Sequence, residues 1–380
     1  MTIRAALCCA LIACQNGGAA PSNGSGSAVA VSHVDASVAS MDAPQLFATF
    51  CTQCHGSDAK GYKSDHAPSL INPTFLESAT DAYLIHSIEQ GRPGTAMAAY
   101  AKQVGGPLDP PAVAKIVTWL RAQGKPAIEP VPPPPGDATR GQPLYAANCL
   151  KCHGNEQQRG EYVLLANARF QALASDAFIY HAIVAGRPTT PMEAFDTKLS
   201  LQQIADLVAY IRSLGHGASA AIVPLPEPTG KEPVFVNPKG KPPAFAHVKE
   251  NRFVPADDVK AALEAKAKLV IIDARPASEW MTVHVVGAIS LPHYDLTANA
   301  ANATKRLAEL PKDATIVAYC ACPHHLSGIV VDELAKRGYK HAYVLDEGIL
   351  EWQRRGYPIV AAQGVTTPPA EPPVAPGTIP

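Results

Sequence analysis

The sequence predicts a multidomain chain in which two all-α units are followed by one α/β unit. Proline clusters at residues 130–135 and 224–243 divide the 380 residues into segments that are each long enough for a small core. The first two segments repeat one another, and their closing stretches carry apolar residues at helical spacing. The third segment alternates short β-branched runs with helical stretches, which is typical of a parallel sheet.

Composition gives no reason to expect nucleic acid as a partner. The formal net charge is −1, whereas a nucleic-acid-binding protein concentrates positive charge. The 36 prolines cluster in a few stretches, which predicts extended linkers at residues 126–136 and 218–246 that pack poorly. The tail at residues 363–380 is rich in proline, alanine and threonine, so we expect it to be disordered.

The N-terminus resembles a secretory signal peptide over residues 1–13. Arg4 precedes an apolar run that is too short to span a bilayer. The run ends in Leu-Ile-Ala before Cys14, which resembles the lipobox of bacterial lipoproteins. We therefore expect export to the periplasm or cell envelope, acylation of Cys14 as a membrane anchor, and a flexible tether over residues 14–40. An ordinary secretory signal is the alternative.

Residues 41–125 and 137–217 are repeats because four sequence blocks match in one order. The matched blocks begin at Cys51 and Cys149, at Asp81 and Asp176, at Gly91 and Gly186, and at Ile116 and Leu207. Asp109 followed by two prolines predicts the start of the closing helix in the first repeat. Ser200 with Gln203 is the capping-box pattern and predicts the same start in the second.

Each repeat contains Cys-x-x-Cys-His, the pattern that attaches haem covalently. Two thiols on one helical turn form thioethers to the haem vinyl groups, and the adjacent histidine becomes the proximal iron ligand. Two Cys-x-x-Cys pairs could share one zinc ion instead, but zinc would explain neither the histidines nor the complete repeat around each pair. The sequence therefore predicts two haems c. Their attachment and proximal residues are Cys51, Cys54 and His55, and Cys149, Cys152 and His153.

Both repeats resemble the class I cytochrome c family over nearly their whole length. The resemblance rests on Cys-x-x-Cys-His, on a Gly-Arg-Pro-x-x-x-Met block and on an aromatic residue in the closing helix. It implies electron exchange with redox partner proteins and makes Met97 and Met192 the distal iron ligands. His86 and His181 also occupy matched positions and are the rival ligands.

Residues 247–362 resemble the rhodanese family. Strands are predicted at 269–272 and 315–319, and a helix at 329–337. Six small motifs follow the family's order, among them Asp273-x-Arg275, Glu279-Trp280, His284-x-x-Gly287, Tyr319-Cys320 and Asp346-Glu347-Gly348. The resemblance implies an α/β rhodanese-like domain that transfers sulfur, with Cys320 as the nucleophile.

The loop after Cys320 departs from the family's Cys-x-x-Gly-x-Arg. A thiol before a helix N-terminus has its pKa lowered by N–H donors and by the helix dipole. The loop reads Cys320-Ala321-Cys322-Pro323-His324-His325, so His325 replaces the arginine, which weakens the case for thiosulfate:cyanide activity. Cys322 could attack a persulfide on Cys320 or form a disulfide with it. A soft-metal site and a catalytically inactive docking loop are the alternatives.

The sequence as a whole predicts a dihaem electron-transfer protein coupled to inorganic-sulfur or thiol/persulfide oxidation. A sulfane-sulfur or thiol compound is the expected substrate, and sulfurtransferase or oxidoreductase activity would depend on Cys320. One alternative is a pure electron shuttle whose rhodanese-like domain only binds a partner or a metal, and another is a copper- or haem-based sensor. The histidines outside these motifs are expected to be structural or surface residues: His66, His247, His293 and His341.

Overall fold

The structure is a computed structural model that describes residues 38–61, 67–215, 222–298, 300–321 and 324–368. The predicted signal peptide, Cys14, His66, Cys322 and most of the tail lie outside these ranges. Among the described residues, no helix has the length and apolarity to cross a membrane.

The first repeat is all-α, as the sequence predicts. Its helices are α1 (Ala43–Phe50), α2 (Thr52–His55), α3 (Pro73–Ser78), α4 (Asp81–Gln90) and α5 (Pro110–Arg121), with a 3-10 turn at Lys102–Val104. The predicted start of α5 is confirmed, because the Asp109 side chain accepts a hydrogen bond from the backbone N–H of Ala112. The apolar face of α5 is buried through Val113, Ile116, Val117 and Leu120.

The second repeat has the same helices in the same order. They are α6 (Ala138–Asn148), α7 (Leu150–His153), α8 (Ala168–Leu173), α9 (Asp176–Ala185) and α10 (Leu201–Ser213). The predicted capping box of Ser200 and Gln203 is present. Buried Asp206 joins α10 to α6, because it accepts bonds of 2.8 Å from both Nε and Nη2 of Arg140. These bonds hold the pKa of Asp206 at about 2.

The third segment is an α/β domain with a parallel sheet, which confirms the predicted class. In chain order it contains β1 (Phe253–Val254), α11 (Ala256–Glu264), β2 (Val270–Asp273), α12 (Ala277–Thr282), β3 (Val283–Val285), β4 (Ile289–Ser290), α13 (His293–Thr297), α14 (Ala300–Leu307), β5 (Thr315–Tyr319), α15 (His325–Lys336), β6 (His341–Leu345), α16 (Gly348–Arg354) and β7 (Ile359–Ala361). The main sheet has the order β1-β6-β5-β2-β4 with all neighbours parallel, and β3 pairs antiparallel with β7.

The central strands are buried on both faces because helices cover each side of the sheet. Alternate residues of a strand point to opposite faces, so β2 and β5 contribute to two cores. One core holds Val270, Ile272, Ile316, Ala318 and Cys320. The other holds Leu269, Ile271, Val317 and Tyr319. The reactive thiol predicted from the sequence therefore lies at the end of β5, inside the first of these cores.

The second proline-rich segment makes backbone hydrogen bonds with the α/β domain, although its residues are exposed or half-buried. The backbone N–H of Leu225 donates to the carbonyl of Met281 at 2.7 Å, and that of Val236 donates to the carbonyl of Leu269 at 3.0 Å. Phe235 packs against the core that contains the strands. Proline removes N–H donors, but the intervening residues retain theirs and use them to follow the domain surface.

Candidate haem and thiol sites

Each Cys-x-x-Cys-His motif lies at a junction between two helices. Cys51 separates α1 from α2, and Cys149 separates α6 from α7. Burial raises the pKa of each of these two thiols to about 12. Thioether attachment to haem is consistent with such thiols.

The histidine of each motif is oriented by a backbone carbonyl. Nδ1 of His55 lies 3.1 Å from the carbonyl oxygen of Pro68, and Nδ1 of His153 lies 2.8 Å from that of Val163. Burial lowers the pKa of both rings, partly opposed by these hydrogen bonds. A neutral ring that donates through Nδ1 presents the lone pair of Nε2, which is the arrangement that a metal-ligating histidine requires.

The two Gly-Arg-Pro-x-x-x-Met blocks fold into closely similar loops. The backbone N–H of Arg92 donates to the carbonyl of Met97, and that of Arg187 donates to Met192, both at 2.7 Å. Gly91 begins the first loop with a φ of +58°, and a Cβ there would lie 2.4 Å from the backbone of Ala98. Glycine is therefore required at the start of the loop. Both methionines are partly buried.

The rival histidines are held by carboxylates. Nδ1 of His86 lies 3.2 Å from Oε2 of Glu89, and its side chain is 46% exposed. Nε2 of His181 lies 3.1 Å from Oε1 of Glu77 in the other repeat. Both rings therefore already have polar partners within the chain, which favours the methionines as distal ligands.

Arg92 offers a direct test of whether the site fits haem. One guanidinium nitrogen, Nη2, donates to the hydroxyls of Tyr83 and Ser87. The other terminal nitrogen, Nη1, is buried and has no hydrogen-bond partner among the residues that the structure describes. A buried cationic donor without an acceptor is destabilising, and a carboxylate is its strongest partner. A haem c carries two propionate carboxylates, so the residues present fit the group that the sequence predicts.

Cys320 follows β5 directly and is buried. Its Sγ lies 3.3 Å from Oγ of Ser327, a hydroxyl in the first turn of α15. Sequence reasoning did not identify Ser327, although its place one turn into the helix after the cysteine was a usable signal. The carbonyl of Cys320 accepts a 3.0 Å bond from the N–H of Ile349. Gly348, at a φ of +70°, permits that approach.

His324 closes the described part of the loop. It precedes α15 with a φ of +68°, which is uncommon for a residue other than glycine. Its Nε2 lies 2.9 Å from the carbonyl oxygen of Asp346 and 3.0 Å from Oδ1 of the same residue. Burial alone would lower the pKa of His324, but the bonds to Asp346 and the nearby Cys320 outweigh it, and the net pKa is raised. A protonated His324 is therefore favoured close to the thiol.

The Asp-x-Arg motif supports the strand that carries Cys320. Nη2 of Arg275 lies 2.8 Å from Oδ2 of Asp273, and Nη1 lies 3.1 Å from Oε2 of Glu279. The hydroxyl of Tyr319 donates to the same Asp273 carboxylate at 2.9 Å. This buried, hydrogen-bonded ion pair anchors the residue immediately before the cysteine.

The thiol loop lies against the first haem motif. Nδ1 of His325 bonds to the carbonyl oxygen of Gln53, the residue before Cys54. Cys54 itself packs against the core cluster that contains Cys320. His325, which stands where the family has an arginine, therefore contacts the cytochrome repeat.

Further contacts join the same two parts of the chain. The rings of Phe50 and Tyr294 meet edge to face with centroids 5.3 Å apart. The hydroxyl of Ser278 donates to the carbonyl of Ala99, beside the Met97 loop, at 2.5 Å. His293, expected to be structural or on the surface, is buried beside Tyr294, and both of its ring nitrogens lack a well-formed hydrogen bond to any described residue.

Comparisons with known proteins agree with this division of the chain. Residues 39–120 and 136–211 match the family model for cytochrome c oxidase, cbb3-type, subunit III, and residues 255–355 match that for the rhodanese-like domain. The chain is 32% identical over 184 residues to the Cbb3-type cytochrome c oxidase subunit CcoP of Rubrivivax gelatinosus, covering 47% of this chain and 55% of that protein. It is 28% identical over 213 residues to the cytochrome bc1 complex cytochrome c subunit of Corynebacterium diphtheriae, covering 49% and 70%.

The chain thus spans little more than half the length of the CcoP relative. Among solved structures, the chain is similar to a rhodanese-like domain from Anabaena sp. The aligned region covers 33% of this chain and 91% of that domain, with 25% sequence identity and a TM-score of 0.27.

Proposed function

Because the chain carries two cytochrome c domains followed by a rhodanese-like domain, we propose that it transfers electrons released by thiol or sulfane-sulfur chemistry at Cys320. When bound, a haem c supplies one one-electron redox centre in each cytochrome domain. The attachment residues are Cys51, Cys54, Cys149 and Cys152. The iron ligands are His55 with Met97 and His153 with Met192.

The observation that carries this proposal is the contact between the thiol loop and the first haem motif. His325 bonds to the carbonyl of Gln53, and Cys54 shares a core cluster with Cys320. A thiol that exchanges electrons with a haem must lie close to it. The thiol loop and the first haem motif are in direct contact. The first cytochrome domain is therefore the one that would exchange electrons with Cys320.

Three groups beside Cys320 would stabilise its thiolate against the opposing effect of burial. The hydroxyl of Ser327 can donate to Sγ across 3.3 Å, and the N-terminus of α15 adds backbone N–H donors. His324, whose pKa is raised by its bonds to Asp346, contributes a positive charge when it is protonated. These groups activate the sulfur as a nucleophile toward a sulfane-sulfur or disulfide bond.

The redox step balances with two electrons. Oxidation of the Cys320 and Cys322 thiols to a disulfide releases two protons and two electrons, which matches two one-electron centres in one chain. Two molecules of an external thiol, RSH, then reduce the disulfide by exchange, giving RSSR and restoring both thiols. The net reaction is oxidation of a thiol substrate. Persulfide transfer to Cys320 alone is redox-neutral and needs no cytochrome.

A second function is favoured by one observation. Cys320 is only 1% exposed, and His325 is engaged with the cytochrome repeat, so the rhodanese-like domain could be a docking module on a pure electron shuttle. In that case Cys320 takes no part in electron transfer.

Stopped-flow spectroscopy separates these functions. The oxidised protein is mixed with a low-molecular-weight thiol, sulfide, thiosulfate or a low-molecular-weight persulfide, and reduction of the haem is followed. We expect Cys320→Ser to abolish sulfur-dependent reduction while chemical reduction by ascorbate stays unchanged. An unchanged rate in Cys320→Ser would establish the shuttle. Cys322→Ser is the matched variant, and if it reacts as fast as the parent protein, Cys320 acts without a disulfide partner.

We also propose that the protein is exported and anchored through a lipid on Cys14. The lipobox-like pattern before Cys14 supports this proposal, and an anchored cytochrome would meet its redox partners at the membrane surface.

A further inference from the structure

The two cytochrome repeats exchange a matched pair of buried side-chain hydrogen bonds. Nδ2 of Asn72 donates to the carbonyl oxygen of Pro188 at 2.8 Å, and Nδ2 of Asn167 donates to that of Pro93 at 2.9 Å. Both asparagines are buried, at 4% and 8% exposed. Each contact joins one repeat to the Gly-Arg-Pro turn of the other, so the pair is related by an approximate twofold exchange.

Each asparagine side chain is held by its own repeat through its amide oxygen, while its amide nitrogen bonds to the other repeat. Oδ1 of Asn72 caps α3 by accepting from the N–H of Phe75 at 3.2 Å, and Oδ1 of Asn167 caps α8 by accepting from the N–H of Phe170 at 3.1 Å. Since the amide oxygen faces its own helix, the NH₂ group must face the other repeat. The direction of the donor is thereby set.

The accepting carbonyls lie inside the methionine loops. Pro93 sits between Arg92 and Met97, whose backbone groups close the loop at 2.7 Å. The hydroxyl of Thr95 reinforces the closure by bonding to the carbonyl of Arg92 at 2.7 Å. A loop closed in this way moves as a unit, so a bond that holds the Pro93 carbonyl also holds Met97. The loop of Pro188 and Met192 is closed by equivalent bonds.

From this geometry we infer that each repeat positions the distal methionine of the other: Asn167 holds the Met97 loop, and Asn72 holds the Met192 loop. The inference rests on the proposed methionine ligation of the two haems. Asn72 and Asn167 are positioning residues, because they act through the loops and do not touch the iron. The two haem sites are thereby coupled through the joint between the repeats.

The two hydrogen bonds between the repeats, from Asn72 to Pro188 and from Asn167 to Pro93, are here called latches. They differ in how much additional support each has. Oγ1 of Thr74, next to Asn72, lies 2.6 Å from the carbonyl oxygen of Gly186 and 3.1 Å from Nη1 of Arg187. The matched position in the second repeat is Arg169, which has no hydroxyl to offer. The Met192 loop therefore has a second hydrogen-bonded contact from the other repeat, which the Met97 loop lacks among the described residues, and loss of Asn167 should have the larger effect.

Serine substitutions separate the latch from the helix cap. Serine caps a helix about as well as asparagine, but its hydroxyl is too short to reach the other repeat. The measured signal is the methionine-to-iron charge-transfer band of the oxidised protein, and its loss during titration with imidazole. In a Met192→Ala background the band belongs to the first haem, and in a Met97→Ala background it belongs to the second.

We expect Asn167→Ser to make imidazole displace Met97 at an about fivefold lower concentration, as for one lost neutral hydrogen bond, whereas Asn72→Ser leaves Met97 unaffected. In the Met97→Ala background the roles reverse, with a smaller effect of Asn72→Ser on Met192. An effect of each serine on its own repeat, or none on either, would overturn the crossed latches. Absence of the band from the parent protein would overturn the methionine ligation itself, a result that is distinguishable from failure of the latches.

Discussion

Replacement of Gly348 by alanine should displace the thiol loop. A Cβ at Gly348 would lie 2.7 Å from the carbonyl oxygen of Cys320, a backbone atom that cannot rotate away. The left-handed φ of +70° adds strain, which for a residue with a Cβ costs about 1–2 kcal/mol. Overlap in a packed site costs roughly 1–3 kcal/mol more. We therefore expect Gly348→Ala to reduce the free energy of unfolding of the rhodanese-like domain by roughly 2–5 kcal/mol.

Gly356→Ala is the matched control, because Gly356 has a φ of +67° and open space around its Cβ position. The free energy of unfolding of Gly356→Ala should fall only by the cost of the left-handed φ, about 1–2 kcal/mol. Guanidinium denaturation followed by tryptophan fluorescence, to which buried Trp280 and Trp352 of this domain contribute, measures both variants. In stopped-flow assays Gly348→Ala should also slow sulfur-dependent haem reduction, with haem content unchanged. Equal losses of stability in the two variants would show that the contact with Cys320 does not constrain this position.

Three further predictions concern the haem, the loop and the N-terminus. Cys51→Ser combined with Cys54→Ser should leave one haem per chain by pyridine haemochrome assay, and retention of both haems would contradict the assignment. Asp346→Asn removes the partner of His324. The pKa of Asp346 is lowered to about 2 and that of His324 is raised. Their mutual stabilisation is therefore complete between about pH 4 and pH 6.5, is lost as the pH falls toward 2, and is lost as the pH rises through the folded pKa of His324. Urea denaturation should show a deficit of about 1 kcal/mol at pH 5 that shrinks at alkaline pH to the part due to the ion pair of Asp346 with Lys249. A pH-independent deficit would exclude the pair with His324 as a cause. Mass spectrometry of the mature N-terminus should find acylated Cys14, and an unmodified N-terminus beyond this residue would rule out the anchor.

The secondary structure was predictable wherever the determining interactions are local. Asp109 and the two prolines after it specify the start of α5 through a side-chain cap and a preset φ. Strands β2 and β5 follow from short β-branched runs that are buried on both faces. The family matches confirm the two cytochrome c domains and the rhodanese-like domain. These domains were predictable because their motifs consist of residues that are adjacent in the sequence.

The surroundings of the sites were less predictable because they depend on partners far apart in sequence. His325 bonds to Gln53 across 272 positions, and Asn72 bonds to Pro188 across 116. In the sequence, His325 is only a substitution for an arginine and Asn72 only a helix cap. The contact that each residue makes with another domain, to the carbonyl of Gln53 or of Pro188, forms only in the folded protein.

The sequence therefore predicts which chemical groups carry the function: four thiols and two histidines for haem, two methionines in matched loops, and Cys320 after a buried strand. Which of these groups are neighbours depends on the tertiary structure. It joins a proline-rich segment, which composition alone marks as a linker, to the α/β domain by backbone hydrogen bonds, and it brings the thiol loop onto the first haem motif. The physical reason is that caps, turns and attachment motifs are stabilised within a few residues, whereas packing between domains depends on surface shape and on unpaired carbonyls that local sequence does not encode.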